Sequence, residues 1–252
     1  MFSSRPFIAA ASVLALGGLA ACADSTGIGG SRPVSLSFST VSMSPAPAAA
    51  ARYALVGSAD ALVITKAQLV FSKSELERAG VTCVDAMELD EDSCPDMEFG
   101  PTLVTLPLDG STKTELTVTI PAGTYDEFEA EIDAVKSETE GHGNDAAAFL
   151  AANPQFRGVS IRVEGTYNGT PFVYTTDAEA ELELEFNPAL TVDGAANNLT
   201  VRVDIPSWFR NGTTSIDPAS ANAGGANKQI VDNNIKRSFK VFEDDDRDGR
   251  DD

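Results

Sequence analysis

The stretch GVSIRVEGTYNGTPFVYT, residues 158–175, decides the fold class of this chain. Val159, Ile161 and Val163 alternate with polar residues, which is the period of a β-strand that buries one face. The pair Asn168-Gly169 follows, and this dipeptide favours the two-residue turn that joins antiparallel strands. The stretch therefore predicts a β-hairpin inside an antiparallel sheet.

The same alternation recurs along most of the chain. It appears in VSLSFSTVSM, ALVITKAQLVF, TLVTLPL, TELTVTIP, EAELELEF, NLTVRVDIP and IKRSFKVF. Residues 121–135 fit a strand or a helix, and Pro121-Ala122-Gly123 at their start favours a strand that returns from the preceding one. One short helix is expected at NDAAAFLAANP, where Asn144 can cap the start and Asn153-Pro154 ends the run. Roughly nine or ten strands without βαβ spacing predict a mainly β protein, an antiparallel β-sandwich over residues 33–241.

The first residues, MFSSRPFIAAASVLALGGLAAC, have the layout of a secretory signal peptide. Arg5 precedes a short apolar run, and small residues follow it. The ending LAAC resembles the lipobox of bacterial lipoproteins, which implies cleavage after residue 21 and acylation of Cys22. Ala23 follows the cysteine instead of aspartate, and by resemblance to the enterobacterial sorting rule this favours the outer membrane. Residues 22–32 then form a tether rich in glycine and serine.

The net charge restricts the partners. It is −20 for the full chain, and removal of residues 1–21 deletes Arg5 and no acid, which gives −21. Such a chain repels nucleic acid and anionic headgroups, so no nucleic-acid partner is expected and the lipid on Cys22 must provide the membrane contact.

A second resemblance lies in the middle of the chain. LPLDG followed by TVTIPAGTYDEFEAEID is similar to the "PAGTY" segment of bacterial surface lipoproteins of the DUF4382 type. The resemblance covers about a third of the chain. It implies an exported β-sandwich without an established activity, and it supplies no catalytic residues.

Two cysteines remain after Cys22. Cys83 and Cys94 flank the polar, acidic segment VDAMELDEDS, and an exported compartment is oxidising. We therefore expect a disulfide that closes this loop. A metal or redox role is the alternative, but no C-x-x-C motif is present.

Little in the sequence indicates catalysis. His142 is the only histidine, it lies between glycines in a polar segment, and no G-x-S-x-G or H-E-x-x-H motif occurs. Two acidic ladders, 127–133 and 179–185, place like charges on one face of each predicted strand, which favours a solubilising surface over a cation site or a paired-carboxylate hydrolase. Trp208 is expected to lie in the core or to plug one end of the sandwich rather than to stack on a sugar.

The acidic ending EDDDRDGRDD, residues 243–252, resembles the calcium loops of EF-hand, dockerin and thrombospondin repeats. Positions 1, 3, 5, 7 and 9 of such a loop, with glycine at position 6 (here Gly249), correspond to Asp244, Asp246, Asp248, Arg250 and Asp252. The chain ends before position 12, which normally supplies a bidentate glutamate. A weak calcium site and a disordered acidic tail both fit this pattern.

These observations predict a lipid-anchored β-sandwich of the cell envelope with a binding or structural role and no catalytic residue. The alternatives are a calcium-dependent binding module, for example for envelope glycan, and a carboxylate-based hydrolase.

We expect that replacement of Cys22 will detach the protein from membranes. Several acyl chains, at about 0.8 kcal/mol per buried CH₂, hold a protein where one chain is marginal. Cell fractionation of Cys22→Ala and of the wild type checks this. Only protein from which the signal peptide has been cleaved is compared, because a retained signal peptide could itself bind the membrane. Recovery of the processed variant with membranes, like the wild type, would contradict lipidation of Cys22.

Overall fold

The computed structural model describes residues 30–41, 53–55, 62–80, 99–136, 143–194 and 197–251. Within them lie thirteen strands: β1 Ser31–Thr40, β2 Tyr53–Leu55, β3 Leu62–Arg78, β4 Thr102–Thr105, β5 Thr112–Pro121, β6 Gly123–Ile132, β7 Ile161–Tyr167, β8 Thr170–Thr176, β9 Ala180–Val192, β10 Asn197–Val203, β11 Arg210–Asn211, β12 Thr214–Ser215 and β13 Phe239–Glu243. The α-helices are α1 Gly143–Ala152, α2 Ile205–Trp208 and α3 Lys228–Lys236, and short 3₁₀ turns span Pro154–Phe156 and Pro218–Ala221.

Two sheets pack face to face, which confirms the predicted β-sandwich. A four-stranded sheet has the order β13-β10-β1-β5, and a seven-stranded sheet has the order β8-β7-β3-β6-β9, with β2 and β4 paired to β3. A two-stranded hairpin of β11 and β12 is added to these. The fully buried rings of Phe38 and Phe71 meet across the sandwich edge to face, with centroids 5.2 Å apart. Alternation along each strand supplies this core, because successive side chains point to opposite faces.

The sheets are not entirely antiparallel, which corrects the sequence prediction. β1 pairs with β10 in parallel, from Val34 opposite Asn197 to Thr40 opposite Val203. Period-two alternation reveals that a segment is a strand, but it carries no information about the direction of its partner. The parallel pair joins the first described strand to one near the carboxyl end of the chain.

The quoted hairpin forms as predicted. β7 and β8 pair from Ile161 opposite Thr176 to Tyr167 opposite Thr170. Asn168 and Gly169 occupy the turn with φ values of 49° and 80°, which a two-residue turn of this type requires at both positions. The ambiguous segment 121–135 is a strand over most of its length, β6, as the sequence analysis favoured.

Helix content exceeds the single helix that was expected. Helix α1 lies at the predicted place, although it begins at Gly143, so Asn144 falls inside it. Helix α3 was missed, because residues 235–242 were interpreted as one strand, whereas the helix runs to Lys236 and β13 begins at Phe239. The signal was available in Val231 and Ile235, an i, i+4 pair that is buried on one helix face. Among the described residues, no helix is both long and apolar enough to span a bilayer.

Trp208 is a buried core residue, as expected. Its side chain is fully buried, and its Nε1–H donates to Ser238 Oγ at 2.7 Å. Phe239 lies beside the indole, with ring centroids 6.4 Å apart. A buried indole offers no stacking face to a sugar, so the glycan interpretation gains no support from this residue.

Helix α3 is attached to strand β8 by polar contacts. Tyr174 OH and Thr176 Oγ1 both donate to Asp232 Oδ1, at 3.2 and 2.8 Å, and Lys228 Nζ lies 2.6 Å from Asp232 Oδ2. Next to them, Asn222 protects the free edge of β8, because its Oδ1 accepts the Thr175 N–H at 3.0 Å. A covered edge cannot pair with a strand of another molecule.

Removal of the tryptophan's partner should destabilise the fold. Ser238→Ala leaves the buried Nε1–H unpaired, and we expect the free energy of unfolding to fall by about 1–3 kcal/mol. Urea denaturation measures this, with Ser111→Ala as the control because Ser111 Oγ is exposed and bonds only to nearby Asp109. Equal stability of the two variants would show that the indole hydrogen bond contributes nothing.

Candidate functional site

Several predicted site residues lie outside the described residues. These are Cys22, Cys83, Cys94 and Asp252, and His142, which was not expected to be catalytic, lies outside them too. The lipidation, the disulfide and position 9 of the calcium loop therefore stay predictions. Asp244, Asp246, Asp248 and Arg250 are described, and the first three come together.

The acidic tail follows strand β13, which lies at the edge of the four-stranded sheet. β13 pairs with β10 from Phe239 opposite Val203 to Glu243 opposite Leu199. The Asp244 N–H then donates to the Asn198 carbonyl at 2.9 Å, which extends the ladder by one residue. The position of Asp244 is consequently fixed by the sheet and not by the tail alone.

Asp244 is the unusual residue of the tail. Its side chain is 0% exposed. Its Oδ2 accepts the backbone N–H of Gly249 at 3.1 Å, and its Oδ1 is buried without a hydrogen-bond partner among the residues that the structure describes. Buried carboxylates are normally paired, hydrogen-bonded or bound to a metal. An anionic oxygen without a partner among the described residues is therefore a group that could bind a metal ion.

Two exposed aspartates complete a cluster. Asp244, Asp246 and Asp248 each offer an oxygen, and these oxygens lie within 4.8 Å of one another. The turn is shaped by Asp246 Oδ1, which accepts the Asp248 N–H at 3.0 Å, and by positive φ at Arg247 and Gly249, 59° and 79°. Gly249 tolerates this backbone conformation without steric cost, as position 6 of a calcium loop demands.

Arg250 contributes a side-chain contact. Its Nη1 lies 3.6 Å from Asp248 Oδ2, with the arginine side chain 82% exposed. A pair of this kind is worth little in water, so the guanidinium does not compete seriously with a divalent cation for Asp248.

Two residues that position the cluster were not predicted from the sequence. Asn198 Nδ2 donates to the Asp244 carbonyl at 2.7 Å, and Asp245 Oδ1 accepts the Asn198 N–H at 2.9 Å. Asn198 was interpreted as an ordinary strand residue, and it does lie in β10. No local signal links it to a tail that is 46 residues away in the chain.

The outer face of the seven-stranded sheet carries a separate feature, the carboxylate grid. The strand register places side chains of β3, β6 and β9 next to one another, so that three rows run across these three strands. The rows are Lys73, Glu131 and Glu181; Glu75, Glu129 and Glu183; and Glu77, Glu127 and Glu185. Sequence analysis found the ladders of β6 and β9, but it did not find that they are neighbours or that β3 supplies a third.

Like charges directly opposite on a sheet repel each other. Partial burial, followed by the repulsion of Glu77, Glu129 and Glu183, raises the pKa of Glu127 to about 7. Burial also raises the pKa of Glu131, with Asp133 and Glu179 adding to the effect. Glu127 and Glu131 thus take up protons more readily than isolated glutamates would.

Two further acidic groups lie in or beside the grid and have the spacing of metal ligands: Glu77, Glu127 and Glu129, and Glu131, Asp133 and Glu179. Neither contains a buried oxygen that lacks a partner. Asp133 is the one buried member, and its oxygens are occupied by the Ala134 N–H at 2.7 Å and by Lys136 Nζ at 2.7 Å. The tail is therefore the better candidate for a metal centre.

The grid also bears on the hydrolase alternative. It borders an open groove of about 370 Å³ lined by Lys73, Glu75, Glu129, Ala130, Glu131, Glu181, Leu182 and Glu183. No aromatic side chain of the described residues lines this groove, and the carboxylates stand in regular rows on an outward face. This arrangement lacks the aromatic walls that would favour a glycosidase cleft.

The raised pKa of Glu127 predicts a stability that depends on pH. Between pH 4.5, the ordinary pKa, and about 7, the folded state binds more protons than the unfolded state. The free energy of unfolding should therefore fall as the pH rises through this window. We expect Glu127→Gln to melt at a higher temperature than the wild type at pH 8, and to lose this advantage below pH 4.5.

Asp193→Asn is the control, because it makes the same charge change at an exposed turn outside the grid. Thermal denaturation at several pH values compares the three proteins. If Glu127→Gln and Asp193→Asn behave alike at pH 8, the local repulsion in the grid is negligible.

Comparison with known proteins adds little. No family model and no curated protein sequence matches the chain. Among solved structures, the chain is similar to MbnP from Methylosinus trichosporium, with 14% sequence identity and a TM-score of 0.44, over 84% of this chain and 98% of that chain. A likeness this distant carries no argument about the site.

Proposed function

We propose that this protein is a lipid-anchored β-sandwich of the cell envelope with a binding or structural role, and that it holds a calcium ion at Asp244, Asp246 and Asp248. The observation that carries the calcium proposal is the buried, unpartnered Oδ1 of Asp244 beside two further carboxylates.

The energetic argument concerns desolvation. Removal of a charged oxygen from water without a replacement partner costs about 1–3 kcal/mol or more. Asp246 and Asp248 add negative charge within 4.8 Å, which makes burial of an ionised Asp244 more costly still. One divalent cation removes both penalties, because it replaces the lost hydration and neutralises the repulsion.

The donor set favours calcium over other metals. The cluster offers carboxylate oxygens, and no histidine or cysteine lies among the described residues of the tail. Oxygen ligands suit calcium and magnesium, whereas nitrogen and sulfur ligands suit zinc and copper. Calcium accepts irregular shells of six to eight oxygens, which a short turn with a glycine can supply together with water. Magnesium requires a smaller octahedral shell and gives up its waters reluctantly.

The expected affinity is low. The cluster brings together three carboxylate ligands, two of them on exposed residues, so the dissociation constant should be on the order of 10⁻⁴–10⁻³ M, as in extracellular modules. A site of this affinity suits an exported protein and would be empty at cytosolic calcium levels. It therefore agrees with the signal peptide and with the anchoring proposed at Cys22.

Calorimetric titration with calcium at about 0.15 M salt tests the site, because diffuse attraction between charges is screened within roughly 8 Å there. We expect saturable binding by the mature protein and a loss of at least tenfold in affinity for Asp246→Asn. Asp251→Asn is the matched control, since it removes the same charge from an exposed residue that is not in the cluster.

Two results would refute the calcium proposal. One is equal heats for Asp246→Asn and Asp251→Asn. The other is the absence of saturable binding at millimolar calcium in the wild type. Magnesium titrated in parallel should bind more weakly.

A further inference from the structure

We infer that residues 244–251 form a latch that calcium locks across the outer face of the four-stranded sheet, with Asn198 as its docking residue. This inference rests on the proposed calcium site and adds what the ion controls. Its evidence is the set of contacts between the tail and strands β1, β5 and β10.

The outer face of β1 is polar and nevertheless buried. Val34, Leu36 and Phe38 point into the sandwich, so the alternate residues Ser35, Ser37 and Ser39 point away from it; they are only 7%, 0% and 5% exposed. On the neighbouring β10, Asn198 and Thr200 are 1% and 0% exposed. Polar groups on the outer face of a sheet are normally solvated, whereas here Asn198 is hydrogen-bonded to the tail and Ser39 lies beside Gly249 of the tail.

Asn198 connects this polar face to the tail. Its Oδ1 accepts from Ser37 Oγ at 2.6 Å, and its Nδ2 donates to Thr200 Oγ1 at 3.1 Å and to the Asp244 carbonyl at 2.7 Å. Its backbone N–H and carbonyl bond to Asp245 Oδ1 and to the Asp244 N–H, both at 2.9 Å. Three of these five bonds go to the tail, so Asn198 positions the first calcium ligand without touching the ion.

The far end of the tail reaches the next strands. Gly249 lies so close to β5 and β1 that a Cβ atom there would stand 3.0 Å from Thr112 Oγ1 and 3.9 Å from Ser39 Oγ. Arg202 of β10 donates to the Gly249 carbonyl, and its guanidinium lies over the Phe242 ring, 4.9 Å from the centroid. The tail thus crosses β10 and β1 and ends at β5.

The same contacts explain why the latch needs an ion. In the closed position Asp244 Oδ1 is buried without a partner, whereas in an open tail water would hydrate it. Burial of this charge therefore opposes closure, and a cation bound only in the closed position favours it. A ligand shifts an equilibrium by its difference in affinity for the two states, so calcium should close the tail over the polar face.

The experiment combines calorimetry with hydrogen exchange and trypsin digestion of the mature protein, in millimolar calcium chloride or in EGTA. The amides of Asn198, Arg247 and Gly249 donate to tail oxygens and report closure. Arg247 and Arg250 are exposed trypsin sites inside the tail, and exposed Arg157, beside a 3₁₀ turn, is the internal control. We expect calcium to slow exchange of these amides and cleavage after Arg247 at least tenfold, and to leave cleavage after Arg157 unchanged.

Variants separate docking from stability. Asn198→Ala should weaken calcium binding about tenfold and abolish protection of the tail, while Asn211→Ala, an exposed asparagine on β11, should do neither. Asp245→Ala tests the same contact from the exposed side if Asn198→Ala does not fold. It should also weaken binding and protection, with Asp251→Ala as its control.

The failures are distinguishable. Calcium binding without any change in tail exchange or cleavage overturns the latch and leaves the calcium site intact. The absence of calcium binding overturns both. Wild-type affinity and protection in Asp245→Ala and in a folded Asn198→Ala overturn the role of Asn198.

Discussion

The parallel pairing of β1 with β10 is the constraint on which the rest of the structure depends. It places the first described strand beside one that lies far along the chain, so the centre of the four-stranded sheet depends on contacts between residues distant in sequence. β13 then adds to the free edge of β10, and the tail leaves from that edge. The contact between Ser37 and Asn198, and through Asn198 to Asp244, exists only because these strands are neighbours.

The acidic residues on the two outer faces of the sandwich differ in their exposure to water. On the seven-stranded sheet the carboxylate grid borders an open groove, where water screens the repulsion and proton uptake by Glu127 relieves part of the remainder. On the four-stranded sheet Asp244 is removed from water, and screening is no longer available to it. An exposed row of acids needs no ligand, whereas a buried carboxylate oxygen without a partner does. This difference, and not the number of acids, distinguishes a solubilising face from a metal site.

Location and anchoring rest on the sequence, while the candidate site rests on the structure. The predictions of a signal peptide, of lipidation at Cys22 and of a Cys83–Cys94 disulfide come from sequence patterns alone. The proposed affinity agrees with an exported protein, because a weak calcium site is filled only where the ion is abundant. If the tail closes at millimolar calcium, it would cover the polar face of β1 only where calcium is abundant, which is outside the cytoplasm.

The sequence by itself determined the β-sandwich, the hairpin at Asn168-Gly169 and the spacing of Asp244, Asp246 and Asp248. These features follow from period-two burial, turn geometry and the local demands of a calcium loop, all of which act over a few residues. Tertiary structure alone decided the parallel β1–β10 pair, the assembly of two acidic ladders and β3 into one grid, and the burial of Asp244. Each of these depends on which strand becomes the neighbour of which, and that choice is made by packing of the whole core between residues far apart in the chain. For that reason the sequence left both a calcium loop and a disordered tail open, and the contacts of Asn198 with the tail favour an ordered loop.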